Sequence, residues 1–115
     1  MSSKAKKMIE LTLVMKGTPE AYRTLEELRE EGYNATVMTT ESLHHALEYN
    51  PADHNFITLR HLEQQGNMES VLCVFLLKDE EVDQVKRVIR EYTHEFKKIK
   101  GFMYSRPIDD YEGSI

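Results

Sequence analysis

A group of basic side chains near the end of the chain is the set of residues best suited to bind a ligand. Lys97, Lys98 and Lys100 come just before Gly101, and Arg106 follows on the same segment. Lysines beside a flexible glycine at the base of a strand are suited to hold a phosphate or a carboxylate. We therefore interpret these five residues as a candidate site for a small anion. The competing interpretation is ordinary surface charge near a helix C-terminus.

Histidines in the middle of the chain form a second candidate site. Four of the five histidines lie between residues 44 and 61, namely His44, His45, His54 and His61. Imidazole is a common ligand of zinc, copper and nickel, so these residues are an alternative, metal-binding site. Their spacing matches no zinc signature. A solvated helix face followed by a loop is the interpretation that competes with the metal site.

The sequence carries no constellation that is typical of catalysis. Cys73 lies in the most apolar segment, where a buried thiol is inert, and nothing fixes the geometry of the paired carboxylates Asp109 and Asp110. Neither a Gly-x-Ser-x-Gly pattern nor a phosphate-binding loop is present. An enzyme that uses His61 or His94 as a base is the weakest interpretation. We expect no catalytic residues and no enzymatic activity.

Composition limits the partners and the compartment that we expect. The net charge of −5 argues against nonspecific binding to nucleic acid or to a membrane surface. A single cysteine excludes an intrachain disulfide and favours a reducing compartment. The longest apolar run, 71–77, is too short to span a bilayer, and no signal-peptide pattern is present. We expect a cytoplasmic protein without a nucleic-acid partner or a membrane-inserted segment.

The first half of the chain predicts a strand, a helix and a strand. Apolar residues alternate over 8–15, which is typical of a half-buried strand. Thr18, Pro19 and Glu20 are suited to the start of a helix, and Gly32 to the position after its end, so the helix is predicted over 19–31. Alternation resumes over 33–39 and predicts the second strand.

The second half predicts another strand, helix and strand. The third strand is predicted over 68–77, and its residues 71–77 are apolar on both faces, which favours a central strand of a sheet. Acidic residues at 79–81 precede a stripe at helical spacing, which consists of Val82, Val85, Ile89, Tyr92 and Phe96. After Gly101, a short fourth strand is predicted over 102–105, stopped by Pro107.

This order predicts an α+β fold, a ferredoxin-like βαββαβ sandwich in which both helices cover one face of a four-stranded antiparallel sheet. We expect one domain over 1–115, with a loose N-terminus over 1–7. The unusual feature is the long insertion between the second and third strands, over 40–67. It is predicted as a long loop or an extra hairpin, and insertions of that length are usually functional or disordered.

The architecture and the end of the chain resemble the PII-like signalling proteins. The run Lys100-Gly101-Phe102-Met103-Tyr104-Ser105-Arg106-Pro107-Ile108-Asp109 is similar to the last strand of that family, in which a glycine precedes an apolar strand and then proline, an aliphatic residue and an acid. The chain length and the long segment after the second strand are also similar. In that family a lysine follows the glycine directly, whereas Phe102 stands there in this chain.

The resemblance implies a homotrimer that binds small effectors, often adenine nucleotides, in clefts between subunits. It implies that Gly101 lies near the ligand's phosphates and that the long loop reaches partner proteins. We therefore expect a regulatory trimer that senses a small anionic ligand, such as a nucleotide, and signals to a protein partner through residues 40–67. Two alternatives remain open. One is an interaction module without a ligand, and the other is a metal-binding trimer that uses the loop histidines, as the copper-tolerance-type trimers suggest.

Overall fold

The computed structural model describes residues 7–40 and 70–114. In chain order its elements are strand β1 (Met8–Lys16), helix α1 (Pro19–Glu30), strands β2 (Thr36–Thr40) and β3 (Ser70–Lys78), helix α2 (Val82–Thr93) and strand β4 (Gly101–Ile108). The predicted βαββαβ order is confirmed. The predictions for the loose N-terminus and for the loop or hairpin fall almost wholly on residues 1–6 and 41–69, which lie outside the described residues. None of the described helices is long and apolar enough to cross a membrane.

The four strands form one antiparallel sheet in the order β2-β3-β1-β4. The central strands β1 and β3 pair over their whole length, from Met8 opposite Lys78 to Lys16 opposite Ser70. The central position predicted for β3 is therefore confirmed. On the other side of β1, β4 pairs from Ile108 opposite Met8 to Gly101 opposite Met15, which makes β4 an edge strand.

The core lies between one face of the sheet and the two helices. Alternate residues of the central strands are buried there, namely Ile9, Leu11, Leu13 and Met15 of β1 and Val71, Cys73, Phe75 and Leu77 of β3. The helices add Ala21, Leu28, Val82, Val85, Val88 and Ile89 to the same cluster. Each large side chain contributes roughly 1.5–3 kcal/mol on burial, so this layer is the main source of stability.

The ends of α1 follow the sequence closely. Thr18 is the N-cap, and its Oγ accepts a hydrogen bond from the backbone N–H of Ala21 at 3.2 Å. Beyond the C-terminus, Gly32 has a left-handed φ of 95°. Its N–H donates to the carbonyl of Arg29, and the next N–H, of Tyr33, donates to the carbonyl of Leu28, both at 3.0 Å. This pair of bonds is a Schellman motif with glycine at its usual position.

The predicted end of β4 at Pro107 was wrong, because the strand continues to Ile108. The Lys16 N–H donates to the carbonyl of its partner Lys100. Hydrogen-bonded and non-hydrogen-bonded pairs alternate in an antiparallel ladder, so Pro107 opposite Ile9 belongs to a non-hydrogen-bonded pair. Its nitrogen therefore points away from β1, toward the free edge, where a missing N–H costs no ladder bond.

The stripe predicted for the second helix was also too long. The helix ends at Thr93, and Phe96 packs against the core from the segment that follows. Periodicity did not reveal this change, because an apolar residue just beyond a helix can reach the same core.

The buried thiol of Cys73 gives a prediction for stability against pH. Burial raises its pKa to about 11 from an ordinary value near 9. As pH rises, the unfolded chain loses this proton first. The stabilisation is therefore complete below about pH 8.5 and is lost progressively as pH rises through 11.

We predict that the unfolding free energy of the wild type falls more steeply between pH 9 and 11 than that of Cys73→Ala, by up to about 1.4 kcal/mol per pH unit. Urea denaturation at several pH values measures both curves. Burial also raises the pKa of Tyr33, but this group titrates in both proteins and cancels in the comparison. Parallel curves would contradict the prediction.

Candidate functional site

Three of the five residues predicted for the anion site lie on the segment that joins α2 to β4, residues 94–100, which we name the α2–β4 connection. Lys97, Lys98 and Lys100 are all exposed. Two fully buried residues hold the segment at its ends, Thr93 with 0% and Ile99 with 1% of its surface accessible. The connection therefore presents its ammonium groups to solvent from a backbone that is anchored on both sides.

The end of α2 has the same Schellman geometry as the end of α1, but without a glycine. The His94 N–H donates to the carbonyl of Glu91 at 3.4 Å, and the Glu95 N–H donates to that of Arg90 at 2.8 Å. His94 occupies the left-handed position with φ of 55°, where glycine is preferred because it has no Cβ.

The left-handed conformation continues for two more residues. Glu95 has φ of 58° and Phe96 has φ of 62°, so residues 94–96 form a left-handed turn in which no residue is glycine. Each such residue costs roughly 1–2 kcal/mol relative to right-handed backbone. Left-handed residues other than glycine normally occur singly, so three in succession need strong local support.

Thr93 supplies much of that support. Its Oγ1 donates to the carbonyl of Ile89 at 2.7 Å and accepts from the Phe96 N–H at 3.1 Å. Its carbonyl accepts from the Lys98 N–H at 3.2 Å, and the Lys97 N–H donates to the carbonyl of His94 at 3.0 Å. The five N–H groups of residues 94–98 are thus bonded within the chain. A ligand at this surface meets side-chain ammonium groups rather than backbone donors.

Gly101 has a structural role that is independent of any ligand. It stands opposite Met15 in a non-hydrogen-bonded pair, where two antiparallel backbones approach most closely. A Cβ at this position would overlap the carbonyl oxygen of Val14 and lie 3.0 Å from the Cα of Met15. Glycine therefore allows β4 to pack against β1 and places the lysines beside the end of β1.

Arg106 lies away from the other predicted site residues. Six residues of extended chain separate it from Lys100, which corresponds to roughly 20 Å. Its Nε and Nη2 donate to the Oε1 of Glu10 at 3.0 and 2.9 Å. The other carboxylate oxygen of Glu10 accepts from the Thr12 hydroxyl at 3.2 Å. The structure thus brings four of the five predicted residues together and places Arg106 in an ion pair on β4 and β1.

The same end of the sheet holds the base of the insertion. Thr40 pairs with Ser70, Ser70 pairs with Lys16, and Lys16 bonds to Lys100 through the backbone. Neighbouring strands are about 4.8 Å apart. The lysines and the two residues that flank the segment 41–69, Thr40 and Ser70, therefore lie at the same end of the sheet, within a few strand widths of one another. Sequence reasoning missed Lys16 as a member of this group, because only strand pairing places it beside Lys100.

The histidines predicted as an alternative metal site, His44, His45, His54 and His61, lie outside the described residues. His94 is exposed at the rim of a cleft of about 300 Å³ between the start of α1 and the end of α2, which is lined by Glu20, Arg23, Glu91, Tyr92 and His94. Within residues 7–40 and 70–114, no group of three or more histidine, cysteine or acidic side chains is arranged to hold a metal ion.

The sheet face opposite the helices, which we name the open face, is largely apolar. It carries Val14 of β1, Met38 of β2, Leu72, Val74 and Leu76 of β3, and Phe102 and Tyr104 of β4. Phe102 and Tyr104 are 54% and 53% exposed, and Met38 is 48% exposed. The two rings stack with their centroids 6.3 Å apart. None of the described elements covers this face.

Solved structures of other proteins share this architecture. A protein of unknown function from Pediococcus pentosaceus ATCC 25745 is 12% identical, with a TM-score of 0.62, over 96% of this chain and 100% of its own. The nitrogen regulatory PII-like protein CPII from Thiomonas intermedia K12, bound to ADP, AMP and bicarbonate, is 11% identical, with a TM-score of 0.59, over 94% and 97%. A proposed PII-like signalling protein from Thermus thermophilus is 10% identical, with a TM-score of 0.54, over 88% and 87%.

These matches confirm the resemblance at the level of fold. The chain has a divergent PII-like fold, at identities of 10–12% to these structures. No protein-family model matches the sequence, and no curated protein does.

The left-handed turn gives a stability prediction with an internal control. Replacing Glu95 by glycine removes the steric cost of its φ of 58°, so we predict that Glu95→Gly raises the unfolding free energy by about 1 kcal/mol. Glu91 is equally exposed but lies within α2, and Glu91→Gly should lower the unfolding free energy by about 1 kcal/mol. Urea denaturation measures both. Destabilisation by both substitutions would show that residue 95 is not left-handed in solution.

Proposed function

We propose that this protein is a PII-like regulatory trimer that senses a small anionic ligand, such as a nucleotide, and signals through residues 40–67. The ligand would bind at subunit interfaces, beside Lys97, Lys98, Lys100 and Gly101. One observation carries the proposal. These lysines lie at the end of the sheet where β2 ends before the insertion and β3 begins after it.

Charge and exposure support an anionic ligand. Three lysines within four residues concentrate positive charge on a protein whose net charge is −5. Exposed ammonium groups bind anions weakly when they act singly, and a second surface that excludes water strengthens the interaction. A cleft between subunits would provide such a surface. CPII, which has the same fold, was solved with ADP, AMP and bicarbonate, all of which are anions at neutral pH.

The open face supports assembly from several copies. Burial of a large apolar side chain contributes roughly 1.5–3 kcal/mol, and Met38, Phe102 and Tyr104 are about half exposed. A second subunit on this face would remove them from water. Phe102 directly follows Gly101 on β4, so assembly through the open face would bring a neighbouring subunit close to the lysines. Of the five predicted residues, Arg106 would then serve the interface through its ion pair with Glu10 rather than the ligand.

The position of the insertion supports a route for the signal. An anion near Lys100 changes the local charge next to Lys16, which is paired with Ser70 at the base of the insertion. Ligands commonly act by biasing the conformation of a segment that is anchored beside their site. A protein partner that contacts residues 40–67 would detect that bias.

We predict that ADP and inorganic pyrophosphate stabilise the wild type. A ligand that binds only the folded state adds about 2.7 kcal/mol at a hundred times its Kd, enough to raise the Tm by several degrees. The double variant Lys98→Ala/Lys100→Ala should lose that shift. Differential scanning fluorimetry measures it, and the matched control is Lys7→Ala/Lys86→Ala, which removes the same charge just before β1 and in the first half of α2.

If both double variants lose the ligand-induced rise in Tm equally, binding depends on net charge alone and not on the proposed lysines. If neither compound shifts the wild type at millimolar concentration, the proposed anion site is wrong.

The assembly is tested by light scattering coupled to gel filtration. The wild type should have three times the 13.5 kDa mass of the chain. Phe102→Glu should reduce the mass to that of the monomer, because it places a charge on the open face. Tyr111 is a similarly exposed aromatic residue, 45% accessible, in the tail after β4, and Tyr111→Glu should leave the mass unchanged. A wild type that is monomeric at micromolar concentration would overturn the proposed assembly.

A further inference from the structure

The left-handed turn at residues 94–96 lies directly before the lysines of the proposed anion site. Three successive residues other than glycine hold φ values of 55°, 58° and 62°. Strained backbone of this kind persists only where its surroundings determine it, and it is concentrated at sites where the strain serves a function. Here the strain and the candidate ligand-binding side chains occupy the same short connection.

We propose that the left-handed turn is a conformational switch, and that an anion bound by Lys97, Lys98 and Lys100 releases it. This inference rests on the anion site proposed above. We call the left-handed conformation of residues 94–96 the closed state. Hydrogen bonds stabilise it, and the steric cost of its left-handed backbone destabilises it. Because these contributions oppose each other, the free-energy difference between the closed state and a right-handed or extended form of the connection is small. The binding energy of a ligand can then reverse the preference.

The donors of the turn explain why an anion favours the released form. In the closed state, the N–H groups of Glu95, Phe96, Lys97 and Lys98 donate to Arg90, Thr93, His94 and Thr93. An anion on this surface gains contacts with exposed ammonium groups alone. Release of the turn frees the same N–H groups to donate to the anion, in bonds that are strengthened by its charge. The ligand therefore binds the released state better, which is the condition for a switch.

The anchors of the connection confine the change and give it a direction. Thr93 and Ile99 are fully buried, so rearrangement is limited to the residues between them. The carbonyl of Lys100 accepts the N–H of Lys16, and Lys16 is paired with Ser70. A change in the turn is thus transmitted through these pairs to the end of the sheet where the insertion is anchored.

Three substitutions at residue 95 test the switch at constant charge. Glu95→Ala is the reference, because it removes the carboxylate near the lysines as the other two do. Glu95→Gly favours left-handed backbone and should weaken the binding of inorganic pyrophosphate roughly fivefold relative to the alanine variant. Glu95→Val disfavours left-handed backbone and should strengthen that binding by a similar factor. Isothermal titration calorimetry on the full chain measures all three dissociation constants.

Amide hydrogen exchange followed by NMR provides a direct readout on the wild type. The N–H groups of Glu95 and Lys98 should be protected from exchange without ligand. At saturating pyrophosphate their resonances should shift strongly, because these groups change their acceptor from a backbone carbonyl to the anion. The N–H of Ala21, capped by Thr18, is the control that should not change.

The outcomes separate the two proposals. If the wild type binds pyrophosphate and the glycine and valine variants bind it as the alanine variant does, the switch is overturned and the anion site stands. If no variant binds and the wild type does not bind either, the anion site and the switch fail together. Should the valine variant not fold, the glycine and alanine variants decide by themselves. Resonances of Glu95 and Lys98 that move no more than that of Ala21 on binding would also overturn the switch.

Discussion

The structure depends on the pairing of β1 with both of its neighbours. Because β1 is central, its alternate side chains form the middle of the core, and its register determines where β3 and β4 begin and end. The two helices cover one face only, so the same pairing leaves an apolar face opposite them. It also places the start of β4, the end of β1 and the base of the insertion at the same end of the sheet. The core, the open face and the candidate site thus all follow from how this one strand is paired.

Much of the fold could be predicted because each element carries a period or an end signal. Alternation gave β1, a run that is apolar on both faces gave β3, and Thr18 and Gly32 gave the two ends of α1. The end of α2 was not predicted, since the position that held glycine after α1 holds His94 here. Side-chain type alone does not reveal left-handed backbone when no glycine marks it. The hydrogen bonds of Thr93 support that backbone, but in the sequence Thr93 cannot be told from any other residue of the helix.

Part of the candidate site could be predicted, and part required the register. Lys97, Lys98, Lys100 and Gly101 are neighbours in sequence, so their proximity was predictable. Arg106 is also near in sequence, but extended chain carries it far along β4 and Glu10 pairs with it. The opposite case is Lys16, which is distant in sequence and adjacent in space. Gly101 is explained by close packing of two strands, a role that a motif search does not distinguish from ligand binding.

Pro107 has a consequence for solubility. A free sheet edge offers a row of unpaired donors and acceptors onto which another chain can add a strand, and such addition has no natural end point. On β4 the outward-facing nitrogens belong to alternate residues, and Pro107 removes one donor from that row. The interrupted row is a poorer template for open-ended growth into fibrils. The exposed aromatic rings of the same strand, Phe102 and Tyr104, point to the open face instead, away from this row of donors and acceptors.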